Sequence, residues 1–160
     1  MGCAADEGTG EAPSAGDPAL ELTGRVVDAA DIFSPQFEED LTAKLSQLES
    51  DTLVQLVVVS APTLEGYDIA DYSLNLANAW GVGSDERDDG LMLLIAPNER
   101  RLRIEVGYGL EASVRDEEAR LIIDRDILPH FEASDYEAGV DAGVDSLIRE
   151  VTPIELKDAA

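Results

Sequence analysis

Residues 89–107 read DGLMLLIAPNERRLRIEVG. Leu91 to Ala96 form an unbroken apolar run, Pro97-Asn98-Glu99-Arg100 follows, and then Leu102, Ile104 and Val106 alternate with Arg101, Arg103 and Glu105. A solid apolar run suits a strand covered on both faces, whereas strict alternation marks a strand with one face toward a core. With a compact turn between them, the two strands return antiparallel as a hairpin. A turn centred between Asn98 and Glu99 pairs Leu93 with Ile104 and Gly90 with Gly107. In that register Leu91, Leu93 and Ile95 share a face with Leu102, Ile104 and Val106, so the hydrophobic pattern supports it.

Working upstream, Leu53 to Ser60 is a second Val-rich run of the fully covered kind. Before it, Ser34-Pro35 supplies an N-cap and a first-turn proline for a helix burying Phe37, Leu41, Leu45 and Leu48. Between the two runs, Asp68 caps a helix whose Ile69, Tyr72, Leu76 and Trp80 form a stripe ending at Gly81. Downstream, a helix from about Asp116 buries Ala119, Ile122, Ile123 and Ile127. A last one opens on the capping box Ser134-Asp135-Tyr136-Glu137 and buries Tyr136, Val140, Val144, Leu147 and Ile148. Four main helices on a mixed sheet that contains a C-terminal antiparallel hairpin make a three-layer α/β sandwich.

The chain has 160 residues, 44% of them hydrophobic, enough for one folded domain. Residues 1–22 are rich in Gly, Ala, Pro and acid and read as a flexible acidic linker. Residues 23–152 form the domain, and 153–160 a weakly patterned tail. Thirty-five acidic residues against 11 basic ones leave a formal charge of -24. Such a chain repels phosphate backbones, which argues against nucleic-acid binding, and has no basic face for anionic lipid. Most of the acids serve a solvated surface, as in a salty habitat. With one cysteine, Cys3, no intramolecular disulfide forms, and no run is long enough to span a bilayer.

The hairpin register has a chemical consequence. It sets the acidic stretch Asp85-Glu86-Arg87-Asp88-Asp89 beside Gly107-Tyr108-Gly109-Leu110-Glu111, with Asp116 close behind, so Asp88, Asp89, Glu111 and Asp116 are expected at one end of the sheet. Crowded carboxylates need neutralising. Arg87 and Arg115 are one means. A hard divalent cation is the other, with oxygen-only donors pointing to calcium or magnesium. An EF-hand begun at Asp85 fails, because its third position is Arg87 and its twelfth, where a bidentate Glu is needed, is Ala96.

Val26-Val27-Asp28, Gln55-Leu56-Val57-Val58-Val59, Ala79-Trp80-Gly81-Val82-Gly83, Asp88-Asp89-Gly90, Gly107-Tyr108-Gly109-Leu110-Glu111 and Asp116 occur in that order. Together they resemble the TPM domain family, over about residues 24–151. The resemblance implies a Rossmann-like sandwich outside the cytoplasm, in the periplasm or on the outer face of a membrane. It also implies a cation site, usually calcium, at Asp28, Asp88, Asp89, Glu111 and Asp116, where Asp28 enters on resemblance alone. Met1-Gly2-Cys3-Ala4-Ala5 is similar to a trimmed bacterial lipoprotein, with Cys3 as the lipid-bearing residue.

The expected function is a calcium-binding accessory or interaction module that meets a partner protein in the cell envelope. Some relatives are described as acid phosphatases, so a metal-dependent acid phosphatase is the alternative, and an acidic scaffolding domain without metal a second. Thiolate and two-histidine phosphatase chemistry is excluded: no Cys is followed five residues later by Arg, and His130 is the only histidine. Asp124-Arg125-Asp126 belongs to a solvated helix face. No phosphate-binding Gly-x-x-x-x-Gly-Lys loop is present.

Overall fold

The strands stand in the order β1 (Val26–Asp28), β2 (Gln55–Ser60), β3 (Gly90–Ala96) and β4 (Arg101–Val106), in a computed structural model that describes residues 20–82 and 89–152. The first three strands are parallel and β4 runs antiparallel to β3. Leu93 pairs with Ile104 and Leu91 with Val106, and the Gly107 N–H donates to the Gly90 carbonyl at 2.9 Å, which is the register the alternation dictates.

Alternation then sorts the core into two layers. Val26, Leu56, Val58, Leu91, Leu93, Ile95 and Ile104 face one side, where α1 (Pro35–Thr52), α3 (Asp116–Leu121) and α5 (Tyr136–Val151) cover them. Val27, Val57, Val59, Met92, Leu94 and Ala96 face the other, where α2 (Ile69–Trp80) lays Ile69, Tyr72 and Leu76 over them. Leu20 packs on this second layer, and its carbonyl accepts from the Trp80 indole at 3.0 Å. Tyr72 is buried so deeply, with Glu65 and Glu99 nearby, that its phenol is pushed up to about 12.

This layering carries a topological fact. The strand order advances steadily from β1 to β3, yet α1 crosses on one face and α2 on the other. Two same-direction parallel crossovers on opposite faces have opposite hands, so one departs from the usual right-handed rule. Among the described parallel strands the order does not reverse as it does in doubly wound nucleotide-binding folds.

Three local expectations need correcting. Leu53 does not open β2: it is exposed and closes α1 in the left-handed conformation, φ 68°, its N–H donating to Glu49. The capping box at Ser134 is not formed, because Asp135 is the N-cap, accepting from Ala138, and Glu137 reaches instead to the Ser34 N–H at 2.7 Å. The third helix is not α-helical throughout. Between α3 and α4 (Leu128–Glu132) lies a π-helical segment, Ile122–Ile127, where the Leu128 N–H donates to Ile123. Pro129 explains the break, since it cannot donate to the carbonyl four residues back and an α-ladder through it clashes. Gly139 and Gly143 of α5 let this rod approach closely: a methyl on Gly143 would stand 2.6 Å from Ile127.

Candidate functional site

Gly90 and Gly107 face each other across the β3–β4 pair, so the residues just outside them define one end of the sheet. Asp89 precedes β3, is 6% exposed, and its carbonyl accepts from Gln55 at 3.2 Å. After Gly107 a single 3-10 turn, Tyr108–Leu110, is anchored by buried Leu110 and Val114, leaving Glu111 and Asp116 exposed. Glu111 and Asp116 line one groove, of about 590 Å³, beside β4. Asp88 and Arg87 lie outside the described residues. Among the described residues no three His, Cys, Asp or Glu side chains stand close enough together to hold a metal ion.

Asp28 is placed elsewhere. It is the last residue of β1, level with Ser60 at the far end of β2, whereas Asp89 lies beyond Gly90, which pairs with Gln55 at the near end. Five residues of strand separate those levels, roughly 16 Å. One cation cannot span that distance, so Asp28 does not share a site with Asp89. Its carboxylate is engaged locally instead, accepting from Ile32 N–H and Phe33 N–H at 2.9 Å each and from the buried Ser60 hydroxyl at 2.6 Å. It thus holds the turn that leads from β1 into α1. Burial, together with Asp28 and Asp31, raises the Glu38 carboxyl above its usual range there.

Two features went unread in the sequence. Glu105 is not simply solvated, for its carboxylate accepts from buried Ser73 of α2 at 2.8 Å and from Arg103 at 2.9 Å. Tyr108 is 81% exposed and, with Leu74 (47% exposed), Ala77, Asn78, Val82 and Glu111, lines a groove of about 290 Å³ between α2 and the sheet end. An aromatic set between two loop glycines was the available signal. Asp126 was also misread: it accepts from the Ser146 hydroxyl on α5, which in turn accepts from Arg149. His130 is exposed in α4.

Fold and sheet end together define a three-layer α/β domain whose mixed sheet ends in one antiparallel hairpin, with a grooved, acidic end. The family model for the TPM domain matches residues 26–150, and the chain belongs to that family. The N-terminal domain of a protein from P. gingivalis, solved by NMR, is similar at 30% identity and TM-score 0.76, covering 88% of this chain and 92% of that one. The N-terminal domain of the cg2496 protein from Corynebacterium glutamicum shares the fold at 18% identity and TM-score 0.64, over 89% of each chain. So does the BA42 protein from Bizionia argentinensis, at 14% and 0.66, over 74% of this chain and 81% of that one. A search of curated proteins gave no match.

Proposed function

We propose that this TPM domain is an accessory interaction module of the cell envelope, outside the cytoplasm, that engages a partner protein through the grooved sheet end. The observation that carries this reading is Tyr108, a large aromatic 81% exposed beside Leu74 on a chain of charge -24. Exposed aromatics rimmed by polar residues are the usual anchors of protein contacts. Lipid attachment at Cys3 would hold the module at the membrane. A divalent cation, calcium first, belongs to the same proposal; Asp89, Glu111 and Asp116 do not stand close enough together to share one ion, so binding it would have to draw their loops together. Its part is to neutralise the acids and order the loops.

The experiment is a photo-crosslinker at Tyr108 in envelope extract. A discrete adduct that Leu74→Ser reduces supports the module, and none sinks it. Melting with EDTA and with millimolar calcium tests the ion separately. An ion-specific rise of several degrees in wild type, absent from Asp89→Ala, supports the site, and no rise removes calcium from the proposal.

A second reading, a metal-dependent acid phosphatase, is favoured by one observation: Arg101, Arg103 and Arg120 line the same groove as Glu111 and Asp116. Arginines beside carboxylates give phosphate the counter-charge that acids alone deny it. Metal-dependent turnover of a chromogenic phosphate, lost in Arg103→Ala, checks this.

A further inference from the structure

The structure points to a second interaction surface, and we infer that β4 pairs edge to edge with β4 of a second copy of this chain. The inference begins with hydrogen bonding. Gly107 donates inward to Gly90, so alternation along an antiparallel strand turns Glu105, Arg103 and Arg101 inward as well. The backbone groups of Leu102, Ile104 and Val106 therefore face outward. Among the described residues no strand lies beside them, since β4 ends the sheet order. The opposite edge, β1, is three residues long, whereas β4 has six, in unbroken register and without a proline. Natural edges are usually blunted by bulges, prolines or charged side chains; this one has no bulge or proline, and its charges, Arg101, Arg103 and Glu105, are of mixed sign.

The occupant follows from the pattern of side chains. A two-fold axis at Ile104 sets Ile104 against Ile104, Leu102 against Val106, and Arg103 against Glu105, twice over. All three outward-facing residues then meet outward-facing residues, so about six inter-chain hydrogen bonds close. The apolar residues fall together on one face and opposite charges meet on the other. Along the groove beside β4, Arg101 stands at the turn end and Glu111 and Asp116 at the other, with Arg103 and Glu105 between them and Arg120 also in the lining. Antiparallel pairing lays each basic end toward its partner's acidic end. Such self-complementarity is what an isologous contact requires. An unrelated acidic or basic strand would satisfy one end of β4 and offend the other. Opposing the contact is mutual repulsion between two chains of charge -24, which salt screens. Pairing should therefore strengthen with added salt, the reverse of an ordinary ion-pair contact.

Sedimentation velocity of the full chain, from micromolar to millimolar and at low and high salt, tests this. The 17.1 kDa monomer should give way to a species of twice that mass, more so at high salt. Arg103→Glu sets acid against acid at both cross-strand pairs, and Glu105→Arg sets base against base. Each alone should weaken pairing at least about tenfold. An equimolar mixture of the two should form heterodimers, because the charges are again complementary, and this rescue also shows that both variants fold. A wild type that stays monomeric at every salt concentration overturns the inference. So do single variants that pair as wild type does, or a mixture that shows no rescue. None of these outcomes depends on Tyr108 or on calcium.

Discussion

Replacing Asp28 with alanine separates a structural carboxylate from a cation ligand. The side chain accepts three hydrogen bonds, two from backbone N–H groups of the β1–α1 turn and one from Ser60, which is fully buried. Hydrogen bonds to a charged acceptor contribute about 1.5–3 kcal/mol each when buried. Asp28 is only half-buried, so water regains part of the two backbone donors in the variant. Ser60 retains its bond from Ala30 N–H at 3.0 Å but loses its acceptor. A net cost of about 3 kcal/mol follows. At ~2 cal/mol/K per residue over roughly 130 described residues, the midpoint of thermal unfolding falls by about 10 °C. The fall should be the same in EDTA and in calcium, because nothing in this role involves an ion. Differential scanning calorimetry in both buffers is the assay. Wild type and variant melting together in EDTA but apart in calcium would refute the reasoning, making Asp28 a ligand despite its place at the far end of the sheet.

Lys44→Met removes the ammonium that bridges Asp141 and Asp145 of α5 at 2.7 Å each, leaving like charges one turn apart. With the lysine one-third exposed the cost should be about 1 kcal/mol, read by urea unfolding. Burial alone would lower the Lys44 pKa, but the bonds and charges of the two aspartates outweigh it and raise it. That stabilisation is accordingly complete below the unfolded value of 10.5 and lost as pH climbs through the folded one. Gly143→Ala gains about 1 kcal/mol of helix propensity but drives a methyl into fully buried Ile127. Overpacking of about 1–3 kcal/mol should win, giving a net loss in the same urea assay. Leu53→Gly relieves a left-handed, exposed leucine and should raise stability by about 1 kcal/mol. Asp31→Asn, whose φ of 56° asparagine tolerates, removes one charge that raises Glu38, so the Glu38 titration followed by NMR should move down in pH. Because a raised carboxyl destabilises the native state above the unfolded pKa, the variant's gain appears above about pH 4.5 and fades below it.

The fold was legible because its signals are local or nearly so. The β3–β4 register follows from apolar parity and the length of one turn. Ser34 and Asp68 were readable as caps because capping is decided within three residues. What escaped depended on partners distant in sequence. Glu137 suits a capping box by spacing, yet Ser34, far along the chain, takes its carboxylate. Pro129 disfavours an unbroken α-helix, but no local signal says that a π turn absorbs the break. The site was legible only in part. Register placed Asp89 and Glu111 at one sheet end because they flank a pair of facing glycines. Asp28 came in through resemblance, and resemblance carries no sheet direction. The parallel pairing that puts its end of β1 beside Ser60 is a tertiary fact.

The two grooves that meet at Glu111 make competing demands on one strand. If the arginines beside β4 serve phosphate, Arg103 must be open to solvent and turned from Glu105. If β4 pairs with its copy, Arg103 is spent across the two-fold axis and that groove is closed. The Tyr108 groove runs along α2 but shares Glu105, Val106 and Glu111 with the groove beside β4. Tyr108 and Leu74 themselves lie outside the paired strand, so a paired molecule would still present these two anchors, once from each copy. A bivalent module gains avidity wherever both copies can engage at once. Phosphatase turnover should then fall as protein concentration and salt rise, whereas adduct formation at Tyr108 should hold or increase. Measuring both on one salt series decides whether the arginines of β4 belong to chemistry or to assembly.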